Sequence, residues 1–167
     1  MTEIGDACHQ FKIGDEVCSL LTGGGYAQFA VADESCTLRI PKAFSMIEAA
    51  AIPENYFTVW SNVFNLGNPK AGETFLVHGG SSGIETTAIQ LSKSLGAKVI
   101  ATTGSEEKSK VCSDLGADIV INYNKHNDWD SIVWYATSSN RDRMREKKYK
   151  TYFNSSIYNI YNLDLKF

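Results

Sequence analysis

The chain has 167 residues, 16 of them Lys or Arg and 19 Asp or Glu, for a net charge of −3. A chain of this length buries one good core or two incomplete ones, and its charge balance gives no electrostatic reason to expect nucleic acid or an acidic membrane surface as a partner. No run approaches the roughly 20 apolar residues needed to cross a bilayer, so no membrane span is expected.

Cys8, Cys18, Cys36 and Cys112 show no C-x-x-C spacing. Neither a metal site nor a disulfide framework is expected, and reduced core thiols are. The start, Met1-Thr2-Glu3-Ile4-Gly5-Asp6, is acidic and lacks an apolar run; it does not read as a signal peptide, and the expected location is cytoplasmic.

Residues 1–55 read as β-rich. Phe11-Lys12-Ile13-Gly14-Asp15-Glu16-Val17 is a turn feeding a strand over 17–21, and residues 26–31 alternate as a second strand. Gly23-Gly24-Gly25 between them invites a phosphate-loop reading, but no helix start follows, so a hairpin or bulge turn is preferred. Residues 36–41 form a third strand closed by Pro41. Ser45 and Glu48 make a capping box for a short helix over 46–51, which Pro53 is expected to end. A longer helix over 57–66 stops at Gly67, with Phe57, Trp60, Val63 and Phe64 read as core and Thr58 and Ser61 as candidates to face a cofactor.

The stretch from Glu73 to Leu95 organises the rest. Thr74-Phe75-Leu76-Val77-His78 is a short apolar run that reads as a buried strand. Gly79-Gly80-Ser81-Ser82-Gly83 follows, and from Ile84 the apolar period becomes helical, with Ile84, Ala88, Leu91 and Leu95 on one face until Gly96. Strand, glycine turn and helix together aim free backbone N–H groups and a positive helix end at a phosphate. Ser81 and Ser82 are expected as phosphate hydrogen-bond donors. A second strand over 98–102, a helix to Leu115 stopped by Gly116, and a third strand over 119–123 complete β-α-β-α-β, half of a doubly wound parallel sheet.

Nicotinamide cofactors are told apart at the end of the second strand, where an acidic residue would hydrogen-bond a ribose 2′-OH and repel a 2′-phosphate. This chain has Thr102, Thr103 and Gly104 there, then Ser105 and Lys108. Ser105 as an N-cap places Lys108 in the first helical turn. Either Glu106 and Glu107 compensate this cation on a solvated surface, or Lys108 and the Ser105 hydroxyl receive a phosphate, which favours NADPH. His78 and Cys112 are read as structural, and no G-x-S-x-G elbow surrounds Ser81 or Ser82.

Phe11-Lys12-Ile13-Gly14-Asp15-Glu16-Val17, Glu48-Ala49-Ala50-Ala51-Ile52-Pro53, Ala71-Gly72-Glu73 and especially residues 77–84 resemble the zinc-free quinone oxidoreductases. These are the zeta-crystallin-like branch of the medium-chain dehydrogenase/reductase superfamily. Thr86-Thr87-Ala88-Ile89-Gln90-Leu91, Leu95-Gly96-Ala97 and Leu115-Gly116-Ala117 extend the likeness over roughly residues 10–130. The resemblance implies a partial GroES-like β-barrel segment over 1–55 and the first half of a Rossmann domain over 56–134. It implies hydride transfer from NADPH to a quinone or related α,β-unsaturated carbonyl, with a family-type homodimer possible. Carried over by position, Gly83 and Ile84 approach the pyrophosphate, Gly104, Ser105 and Lys108 hold the 2′-phosphate, and Tyr123 lies against the adenosine.

Two departures qualify it. The family's third fingerprint glycine is Glu85 here. At ~7 Å and an effective dielectric near 20, its carboxylate would cost roughly 2 kcal/mol per unit charge on a bound pyrophosphate. Alternatively, it occupies the helix N-terminus of an empty site. The tail also changes character: the 51 residues after Gly116 contain no Gly or Pro, where average usage would give about six. Residues 135–167, with Arg141, Arg143, Arg145, Lys147, Lys148 and Lys150, match nothing in the family and are expected to be poorly ordered. The alternative function is therefore a non-catalytic truncated fragment that keeps part of a nucleotide surface.

Overall fold

A computed structural model describes residues 1–129, 131–133, 150–151 and 160–163. The chain divides into two compact units, Met1–Thr58 and Val59–Phe167.

In the first unit, β1 (Val17–Ser19) pairs antiparallel with β2 (Thr37–Arg39), Cys18 opposite Leu38. Arg39 braces the pair by an ion pair to Asp15 at 3.0 Å, a bond to the Gln10 carbonyl, and a seat over the Phe11 ring. The expected strand over 26–31 does not form. Tyr26, Phe29 and Val31 are exposed, and no described segment pairs with them. Alternation alone does not make a strand; a ladder partner is required to satisfy its N–H and C=O groups. The barrel segment is thus a two-stranded ribbon among the described residues.

Helix α1 (Met46–Ala50) starts on the expected capping box: Ser45 Oγ accepts the Glu48 N–H, and Glu48 Oε2 accepts the Ser45 N–H at 2.9 Å. Pro53 does not end a helix. It sits in the first turn of α2 (Ile52–Val59), where a missing N–H costs nothing. The chain then continues as a π-helix, Trp60–Gly67, closed by Asn68 in the left-handed conformation. Its i→i+5 ladder breaks the 3.6-residue period, so Val63 is buried and Phe64 packs on the core, whereas Trp60 is exposed.

The second unit is built on three parallel strands, β3 (Thr74–His78), β4 (Lys98–Thr103) and β5 (Ile119–Asn122), in the order β5-β4-β3. Helices α3 (Gly83–Ser94) and α4 (Glu106–Asp114) make the crossovers. All five β3 residues before the turn except His78 are buried, as two-sided burial of a parallel strand demands. The core joins Phe75, Val77, Val99 and Ala101 of the sheet to Ile84, Ala88 and Ile89 of α3, with Cys112 of α4 and Val63. On α3 the buried residues are Ile84, Glu85, Thr87, Ala88, Ile89 and Ser92, while Leu95, expected on the core face, is half exposed just beyond the helix.

Asp118 ties this layer together. It takes Lys93 Nζ on both oxygens at 2.9 Å and the Val99 N–H at 2.7 Å. On its other edge β3 pairs with β7 (Ile160–Leu163), antiparallel, and β7 with β6 (Lys150–Thr151). A doubly wound sheet would continue there with a parallel strand. The cationic run from Arg141 to Lys148 lies outside the described residues.

Candidate functional site

Parallel strands with crossovers on the same side bring their C-terminal ends together, and with them the turns that follow β3, β4 and β5. Apart from Thr58 and Ser61, each site residue expected from the sequence lies on one of these three turns or on the first turn of the helix that follows.

After β3 the chain turns sharply. Gly79 has φ +74, a conformation that suits glycine, and its N–H donates to Thr102 Oγ1 at 3.4 Å. Thr102 also shares a 3.0 Å hydrogen bond with His78 Nδ1. Burial pushes the His78 imidazole below its ordinary value, and Trp129 meets the ring edge-on with centroids 4.8 Å apart. His78 is therefore a neutral brace between two strands. Gly80 is packed tightly: its N–H donates to the Thr102 carbonyl at 3.0 Å, and its carbonyl accepts the Cys112 thiol at 2.9 Å. Burial raises the Cys112 thiol, so it is no nucleophile.

Ser82 is the N-cap of α3, yet its hydroxyl makes no capping bond. The first-turn amides of Gly83, Ile84 and Glu85 lack carbonyl partners within the helix, and Thr86 is the first to close the ladder, onto the Ser82 carbonyl at 2.9 Å. Ser82 and Gly83 are exposed, Ser81 half-buried and Ile84 buried beneath them. The result is a row of N–H donors at a positive helix end, with two serine hydroxyls beside it.

Glu85 departs from this pattern. The residue is 9% exposed, and its Oε2 has no hydrogen-bond partner. Burial pushes its carboxyl above the ordinary value, and its own backbone N–H pulls the other way. The group thus neither swings out nor forces the helix from the sheet. It stays buried on the first turn of α3.

After β4, Ser105 caps α4 by accepting the Lys108 N–H at 3.3 Å. Its hydroxyl proton stays available, and the Lys108 side chain is exposed. Gly104 lies close under Tyr123: a Cβ there would be 2.6 Å from the phenolic oxygen, so the exposed ring would have to swing aside. Three residues not foreseen from the sequence frame this turn. Asn124 donates to the Gly104 carbonyl at 2.7 Å, while Asn122 and Lys125 both reach Glu106 Oε1, at 2.9 and 3.0 Å. The Asn122 amide, then the Lys125 ammonium, hold the Glu106 carboxyl below its ordinary value. The run Asn122-Tyr123-Asn124-Lys125 at a strand end was the available signal. Of the two earlier cofactor candidates, Thr58 is half-buried and Ser61 exposed.

Residues 83–159 match the family model described as a zinc-binding dehydrogenase. The chain is 37% identical over 130 residues to the quinone oxidoreductase of Rattus norvegicus, covering 77% of this chain and 40% of that protein. The Homo sapiens quinone oxidoreductase is 36% identical, over 79% and 40%. The parallel sheet is in keeping with these matches.

The matched stretch is similar to quinone oxidoreductases of the medium-chain dehydrogenase/reductase superfamily.

Its fold agrees. The Escherichia coli quinone oxidoreductase, solved in complex with NADPH, superposes with a TM-score of 0.69 at 28% identity, over 81% of this chain and 42% of that one. The chain spans about two fifths of the length of the curated relatives it matches. Among the described residues no group of His, Cys, Asp and Glu could hold a metal ion, and no helix is long and apolar enough to cross a membrane.

Proposed function

We propose that the chain carries the NADPH-holding part of an oxidoreductase that reduces a quinone or related α,β-unsaturated carbonyl without zinc. The observation that carries this reading is the uncapped start of α3. Ser82 leaves the amides of Gly83 and Ile84 to a ligand at the C-terminal ends of parallel strands, where open α/β sheets bind nucleotides. Gly83 and Ile84 would take the diphosphate with the Ser81 and Ser82 hydroxyls. Ser105 and Lys108 would take the 2′-phosphate, and Tyr123 would lie against the adenosine. When bound, NADPH supplies the hydride; the residues here bind and orient it.

A second reading, a non-catalytic fragment that keeps only part of a nucleotide surface, is favoured by two features. Glu85 is buried on the same first helical turn as the phosphate amides, and β7 runs antiparallel where the second half of a doubly wound sheet would supply the opposite wall.

Titration with NADPH and NADH, followed by tryptophan fluorescence, tests the proposal, since Trp129 sits against His78 at the foot of the glycine turn. The expected result is saturable binding, with NADPH preferred about tenfold, the effect of roughly 1.4 kcal/mol from one charged phosphate contact. Lys108→Ala should remove that preference and leave NADH binding unchanged. No response to millimolar NADPH would leave only the remnant.

A further inference from the structure

Glu85 is the third residue of α3, so its own N–H is one of the amides a phosphate would use. The residue is over nine-tenths buried with Oε2 unpartnered, and its place on the first turn of α3 keeps its carboxyl within a side chain's reach of those amides; its own backbone N–H favours the charged form. An ionised carboxylate buried without a full set of partners is costly, and a second anion brought to the same amides raises the cost.

Little nearby offsets it. The next turn of α3, Thr86 to Gln90, carries no charge, and Lys93 beyond it is paired with Asp118. The turn end of β3 presents His78, which burial keeps neutral, and that of β4 presents Thr102 and Thr103. Lys98 is at the opposite end of β4. On α4, Cys112 faces Gly80 as a neutral thiol, and the π-helix Trp60–Gly67 contains no titratable side chain.

We propose that Glu85 competes with the dinucleotide for the start of α3, and that its carboxyl takes up a proton when the diphosphate binds. Resting on the NADPH reading above, this makes Glu85 the residue that sets cofactor affinity and couples it to pH. The protonated acid carries no charge to repel the ligand. By linkage, binding must then tighten as pH falls through the Glu85 titration.

The test is calorimetric titration of NADPH into the full chain, in pairs of buffers that differ in ionisation heat, at neutral and mildly acidic pH. The 2′-phosphate itself titrates near pH ~6, so the decisive quantity is the difference between wild type and Glu85→Gln, which keeps the shape and removes the charge. At neutral pH wild type should take up as much as one proton more than Glu85→Gln. Glu85→Gln should bind about tenfold tighter or better, with the gap closing as pH falls. Glu85→Gly, checked for folding by circular dichroism, should reproduce the gain in affinity. Equal proton counts and equal affinities would overturn the inference while leaving the cofactor reading intact. Failure of wild type and both variants to bind would remove the cofactor reading, and this inference with it.

Discussion

Substitution of Gly80 by alanine probes how closely the phosphate turn is packed. A Cβ at this position would lie 2.9 Å from Cys112 Sγ, 3.1 Å from the Ala101 methyl and 3.6 Å from Ile89 Cδ1. None of these can easily retreat. Cys112 is fully buried and tied to the Gly80 carbonyl, Ala101 is fixed in the middle of the sheet, and Ile89 is enclosed in the core. Gly80 does not have a positive φ, so the cost is steric alone. Overpacking of this kind costs about 2 kcal/mol, and for a chain of this size that lowers Tm by roughly 4–8 °C. The nearest clash is with the thiol, so Cys112→Ala should relieve it: in that background Gly80→Ala should cost less than half as much, a coupling of about 1 kcal/mol. Urea unfolding of the four proteins in the cycle measures this, and NADPH titration reports whether the amides have moved. A neutral Gly80→Ala, or strictly additive effects, would refute the packing argument. Gly79→Ala is the contrast, because its φ of +74 and open surroundings make its cost one of backbone conformation only.

Two pH dependences of stability should run in opposite directions. Burial pushes the Asp118 carboxyl up, but Lys93 and the Val99 N–H outweigh it and hold the group below its ordinary 3.8. Its contribution is therefore present above that value and lost as pH falls through the depressed native value. Asp118→Asn should cost roughly 1–2 kcal/mol at neutral pH and progressively less in acid, by urea midpoints; a constant difference across pH would refute it. Glu85 is raised above its ordinary 4.5, so its folded state favours the proton and its destabilising influence grows as pH rises through the raised native value. Glu85→Gln should stabilise the protein at neutral pH, with no gain below about pH 4. A loss of stability at neutral pH would show instead that the carboxylate is a net helix-capping asset.

The local order of residues determined much of this protein. The apolar run at Thr74–His78, the glycine turn, the switch to helical period at Ile84 and the stop at Gly96 are short-range signals, and the β-α-β-α-β unit follows because each element's pattern is complete within itself. The capping hydroxyls of Ser45 and Ser105 were legible for the same reason, since a cap reaches only three residues ahead. Other features depend on what lies across space. The alternating stretch around Tyr26–Val31 lacked a described strand to pair with, and alternation could not reveal that. The π-helical turn at Trp60 broke a period that sequence reading assumes constant. The brace of Asn122, Asn124 and Lys125 around Gly104 and Glu106 joins residues up to 20 positions apart. The departure at Glu85 was visible in the chain, but its consequence was not. Whether a carboxyl on a helix's first turn reaches solvent or stays inside depends on the depth of packing around it, which is a property of the assembled layers and not of the helix that carries it.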